Sequence, residues 1–155
     1  MTATHDHAQV IAPPPLLTAA ALLAGLGLRW LWPLPLWPWS RAWIPAMVCF
    51  VVALVLAGPA VARFALARTS VLPHRPTSAL VTSGPFRLTR NPLYLSLGLL
   101  LTGTAFALNS MALLAVVIPW EVVMRYGVIA REERYLERKF GEDYRVYCRR
   151  VRRWL

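Results

Sequence analysis

The chain has 155 residues, of which 57% are hydrophobic and 15% charged, against roughly 45–50% and 25% in a soluble globular domain. Together with a mean hydropathy of +0.49, this excludes an ordinary soluble fold, a disordered tail and a coiled coil, and leaves a membrane protein of one compact domain. Seventeen Lys and Arg against seven Asp and Glu give a net charge of +10, which suits nucleic acid or anionic lipid depending on where the arginines fall.

The first apolar stretch, Leu16 to Leu28, is uncharged and extends through Trp30 and Trp32 to a span of about 17 residues. Ahead of it stand Thr2, His5, Asp6 and His7 with no Lys or Arg, unlike the basic start of a secretory signal, so an uncleaved helix is expected. Across the segment Leu31 to Trp43, Trp30, Trp32, Trp37, Trp39 and Trp43 are interspersed with Pro33, Pro35 and Pro38, the composition of an irregular loop in an aromatic belt at headgroup level. Ile44 to Ala62 is the second span, followed by Arg63 and Arg68, whose stems can snorkel to the interface. Leu93 to Leu108 and Met111 to about Tyr126, parted by Asn109 and Ser110, predict a helical hairpin. Sixteen residues cover only about 24 Å, so these spans must recruit flanking residues or meet a thinned bilayer.

Fifteen of the seventeen basic residues then share one side. Arg63, Arg68, Arg75, Arg87 and Arg90 lie in the second connector and ten more follow from Arg125 onward, while only Arg29 and Arg41 flank the tryptophan loop. The positive-inside rule puts that loop outside and the connector, both termini and the tail in the cytoplasm. Membrane topology explains the charge, and nucleic acid is not an expected partner. The expectation is an all-α polytopic protein of about four transmembrane helices with a cytoplasmic C-terminal amphipathic helix, in the bacterial inner membrane. Cys49 and Cys148 fall on different sides of that scheme, and with three scattered histidines no metal-ligand spacing exists.

Three features stand out from the apolar background. Gly84-Pro85 marks a turn, and Asn91-Pro92 has the form of an N-cap with proline at the first helical position. That pair is either a cap alone or a helix N-terminus offering N–H groups to an anion at the membrane surface, strengthened by Arg87 and Arg90. Glu121, inside an apolar stretch with Arg125 one turn later, is either a structural ion pair or a functional intramembrane acid. The run from Arg131 to Gly141 reads as a solvated charged helix closed by a C′ glycine. Within it Glu132 shares a face with Arg125, Val128, Leu136 and Phe140, and Glu133 aligns with Ile129 and Glu137, so Glu132 is the acid expected to point inward. From Tyr144 through Tyr147, Cys148, Val151, Trp154 and Leu155 the spacing predicts a basic amphipathic helix against the cytoplasmic leaflet, able to fold back over Asn91.

Five ordered motifs, Leu80-Val81-Thr82-Ser83-Gly84-Pro85-Phe86, Arg90-Asn91-Pro92-Leu93-Tyr94, Glu132-Glu133, Phe140-Gly141-Glu142-Asp143-Tyr144 and the Tyr147 to Val151 ending, together resemble the isoprenylcysteine carboxyl methyltransferase and phospholipid methyltransferase family. The resemblance covers residues 77–155, a methyltransferase-like cofactor-binding half; residues 1–76 form an N-terminal helical pair without readable motif. It implies an integral membrane enzyme that transfers methyl groups from S-adenosylmethionine at the cytoplasmic face to a lipid-like or hydrophobic small acceptor bearing a carboxylate, amine or thiol. By the same resemblance, Ser78, Ala79, Leu80, Val81, Phe86, Asn91, Pro92, Leu93, Tyr94 and Glu132 are expected to bind the cofactor, with Arg125 and Arg131 the catalytic candidates. Asn91 stands where the family motif usually has histidine, which removes a group able to titrate near neutral pH. The readings weighed against this one are a small four-helix transporter using Glu121 and a non-catalytic relative of the family.

Overall fold

The computed structural model describes residues 8–36, 43–70 and 77–154; the expectations for Thr2, His5, Asp6, His7, Trp37, Pro38, Trp39, Arg41, Arg75 and Leu155 lie outside these. Among the described residues every regular element is helical. The long helices are α1 (Pro14–Leu31), α2 (Trp43–Leu66), α3 (Pro92–Ala107) and α4 (Met111–Val123). Helix α4 runs through a π-helical turn, Met124–Ile129, into α5 (Ala130–Phe140), and α6 (Glu142–Arg150) follows after Gly141.

Pro14–Leu31, Trp43–Leu66 and the continuous rod Met111–Phe140 are long and apolar enough to cross a membrane, and Pro92–Ala107 is a shorter apolar helix. Their outward side chains include Leu23, Leu54 and Ile118, each about 70% exposed, which only a lipid surrounding makes favourable. The chain is an integral membrane protein. Observed bounds follow the expected spans, with α2 four residues longer at its C-terminal end, through Leu66.

Helix α2 lies along α3 and α1 along α4, so helices from both sides of residue 76 share one core. Small residues permit this closeness, as is usual where lipid removes the hydrophobic drive between helices. A Cβ on Gly103 would stand 2.8 Å from the Phe50 ring, and one on Gly25 would stand 2.5 Å from Leu113 Cδ2. One buried cluster joins Leu101, Trp120, Met124 and Val128 between the spans, where Trp120 Nε1 donates to Thr18 Oγ1 at 3.2 Å. At that cluster's far side the tryptophan loop is tied down: Met111 N–H donates to the Leu34 carbonyl and Leu36 N–H to Asn109 Oδ1. A second cluster, Ala60, Phe86, Tyr144 and Tyr147, brings α2, the connector and α6 together.

The C-terminal segment differs from expectation. The amphipathic helix stops at Arg150, and Val151 turns extended at φ −126°, ψ 129°, so Trp154 is not on its apolar face. The reason is backbone pairing. Arg90 N–H donates to the Arg152 carbonyl at 3.0 Å, and Thr89 Oγ1 and Asn91 Nδ2 both donate to the Arg153 carbonyl at 2.8 and 3.1 Å. The extended backbone from Val151 onward turns those two carbonyls toward residues 89–91.

Candidate functional site

The connector supplies a short 3₁₀ turn, Gly84–Arg87, opened by Gly84 at φ +65°. Phe86 is thereby turned inward, 5% exposed, with its ring edge-on to Phe64 at 5.2 Å and its carbonyl accepting Tyr147 Oη at 2.7 Å. Immediately after the bend at Arg90, Asn91 takes the N-cap position of α3 and Pro92 the first helical position. The Asn91 side chain does not cap the helix; its Nδ2 donates to the Arg153 carbonyl. Its own N–H donates instead to Thr89 Oγ1 at 3.2 Å.

One turn into α3, Tyr94 Oη donates to Glu132 Oε2 at 2.6 Å, a short charge-assisted bond that joins α3 to α5. Glu133 is also turned inward, which corrects its alignment with the outer face. Its Oε1 lies 3.2 Å from Arg90, and Arg153 grips both oxygens, Nε on Oε1 at 3.0 Å and Nη2 on Oε2 at 2.5 Å. Arg90 Nη1 further donates to Cys148 Sγ at 2.8 Å. The Nε–H of Arg90, by contrast, is buried with no protein acceptor. Burial, then the Glu133 charge, raises the Tyr144 phenol far above its ordinary range, and burial does the same to Tyr147. Both therefore act as neutral walls at any working pH.

These side chains surround one cavity at the end of the bundle where α3 begins. Of the residues expected to bind cofactor, Ala79, Leu80, Val81, Phe86, Asn91, Pro92, Leu93, Tyr94 and Glu132 line it. Ser78 does not: it is exposed and directed backward, Oγ to the Arg68 carbonyl and N–H to Thr69 Oγ1. Nor do the two catalytic candidates. Arg125 is exposed over the Tyr126 ring, 5.6 Å from its centre, and Arg131 donates to the Gln9 carbonyl at 2.8 Å. Glu121 lies outside the cavity too. Phe64, Ser70 and Thr77 line it as well, and Arg90, Glu133, Leu136, Tyr144 and Tyr147 complete the wall without having been named as binding residues. Four of them, Arg90, Glu133, Tyr144 and Tyr147, stand inside the quoted motifs, which was their signal, and Leu136 lies one turn after Glu132.

Residues 41–143 match the phospholipid methyltransferase family. The chain belongs to that family. The matched stretch runs from the start of α2 through Asp143 in the first turn of α6, so it contains every cavity residue except Tyr144 and Tyr147. An uncharacterized protein of Haemophilus influenzae is 53% identical to this chain over 64 residues, 41% of this chain and the whole of that one. No solved structure matches.

Proposed function

We propose that this member of the family uses S-adenosylmethionine as its donor and methylates a lipid-like or otherwise hydrophobic small acceptor at the cytoplasmic face, crossing the bilayer with four helices. The observation that carries the reading is the Tyr94–Glu132 pair, set in a cavity whose remaining wall is largely aromatic and aliphatic. The donor set fits such a cofactor, which has an adenosine, a sulfonium and an amino acid head bearing both charges. Glu132 offers a carboxylate to an ammonium or to ribose hydroxyls. The partnerless Arg90 Nε–H and the free first-turn amides of α3 offer donors to a carboxylate. Phe86 and Tyr94 offer aromatic faces to adenine or to a sulfonium.

When bound, that cofactor supplies an electrophilic methyl group whose sulfur departs neutral. What remains for the protein is alignment and exclusion of water. Phe64, Phe86, Leu136 and Tyr147 wall the cavity with little polar surface, and the tail paired with residues 89–91 covers the start of α3. Asn91 cannot accept a proton near neutral pH, Glu132 is held by Tyr94, and Glu133 is held by two arginines. The reading therefore favours an acceptor that needs no base from the wall, and its tail would enter sideways from the bilayer.

Calorimetric titration of the detergent-purified protein with S-adenosylmethionine and with S-adenosylhomocysteine tests this. Saturable binding is expected, weakened at least about tenfold by Glu132→Ala with the fold intact by circular dichroism. A folded wild-type protein that binds neither compound overturns the proposal.

A further inference from the structure

Trp120, Met124, Val128, Glu132, Leu136 and Phe140 follow one another at steps of four. In an ideal α-helix each such step overshoots a full turn by about 40°, so five of them drift by about 200° and carry the last residues to the opposite side. The structure keeps the stripe closer to one side. Trp120, Met124 and Val128 are buried in one cluster against Tyr94, Glu132 bonds that same tyrosine, and Leu136 lines the cavity. The π turn makes this possible: Ala130 N–H donates to the Arg125 carbonyl five residues back, and the extra residue takes back about 100° of drift. Straightened into a continuous α-helix, the rod would swing Glu132 about 100° from its present bearing relative to α4.

A π turn is rare and gives way to α-helix unless its surroundings select it. Here the surroundings are the segment ahead of α1. Ile11 N–H donates to the Gly127 carbonyl at 3.3 Å, and the Gln9 carbonyl accepts Arg131 Nη1 at 2.8 Å. Ala8 is 1% exposed. Glycine at 127 leaves room for this seat: a Cβ there would stand 2.9 Å from Ile11 Cγ1, so the half-exposed Ile11 side chain would have to shift. The strap thus holds the middle of the π turn and the residue immediately before Glu132.

We propose that Ala8–Ile11, seated on Gly127 and tied to Arg131, selects the π register and so positions Glu132 in the cavity. The Ile11 backbone and Gly127 are the positioning groups, so Ile11→Ala alone, which keeps that backbone bond, is expected to leave the register in place. The proposal rests on the cofactor-binding reading only for the consequence it has on binding; the register itself is read without ligand.

The test compares full-length wild type, Gly127→Ala, Ile11→Ala and the double variant by amide hydrogen exchange over residues 124–136 and by S-adenosylhomocysteine titration. Gly127→Ala is expected to raise exchange across the turn about tenfold and weaken binding about tenfold, with exchange in α2 and α3 unchanged. Adding Ile11→Ala, which removes the overlapping atoms, is expected to return both readouts toward wild type. Unchanged exchange in Gly127→Ala overturns the proposal, as does a change that the second substitution fails to reverse, since that would trace to alanine's helix preference alone. If wild type binds no S-adenosylhomocysteine while exchange behaves as described, the ligand role of Glu132 falls and the strap stands.

Discussion

Asn91 occupies the place where the resemblance expects histidine, and its amide does work that either residue can do: it donates to the Arg153 carbonyl, which Thr89 also serves. Asn91→His keeps a ring N–H for that carbonyl and should leave the unfolding midpoint almost unmoved. Asn91→Leu removes the donor and should cost about 1 kcal/mol, visible as a lower midpoint in detergent melts. Glu133 carries a larger share. Its carboxylate separates Arg90 and Arg153, with the acid and Arg90 both less than one-fifth exposed, and Glu133→Gln leaves two guanidinium groups facing a neutral amide. The loss should be about 2 kcal/mol, below the value for a fully buried pair because Arg153 is one-third exposed; a melt within 1 °C of wild type would count against the cluster. Glu132 was legible in the sequence and Glu133 was not, because an ideal helical period sends one of two neighbouring acids outward. Within α5 the two still stand about 100° apart, and Glu133 turns in because Arg90 and Arg153 meet it from the connector and the tail.

At the scale of elements, the helices were readable because each span is an apolar run bounded by turn residues, with Ser110 capping α4 through Leu113 N–H as its residue type predicts. The π turn was harder to see: Met124 to Ile129 contains no proline and a single glycine. Its only trace is the persistence of steps of four. The tail's extended end was hidden for another reason, since carbonyls of residues 152 and 153 accept from residues 89–91 whatever side chains they carry. Between α5 and α6 the sequence was explicit. Gly141 lies at φ +53°, ψ −121° with open space around its Cα, so the demand there is on the backbone alone. Gly141→Ala should cost about 1–3 kcal/mol and loosen the α5–α6 corner. Limited proteolysis should cut first beside residue 141, at a rate several-fold above wild type. An unchanged cleavage pattern would show that the corner tolerates a side chain.

For the whole molecule, the arginine distribution and the cavity point the same way. The cavity lies at the end of the bundle where α2 stops and α3 begins, which is the end carrying Arg63, Arg87 and Arg90 and, beyond the π turn, the charged faces of α5 and α6. At the other end, Leu34 and Leu36 close onto the α3–α4 turn, and a single arginine among the described residues, Arg29, lies in the last turn of α1. By the positive-inside rule such a bundle is expected to insert with its basic end in the cytoplasm, the side on which the proposed methyl donor would have to be met. In a background with Cys49 and Cys148 replaced by serine, a cysteine at Leu34 should react with a membrane-impermeant maleimide in intact cells, and one at Arg138 only after lysis. The reverse pattern would put the cavity on the outer face, out of reach of a cytoplasmic methyl donor, and the proposed chemistry would fail with it even if the purified protein bound the cofactor.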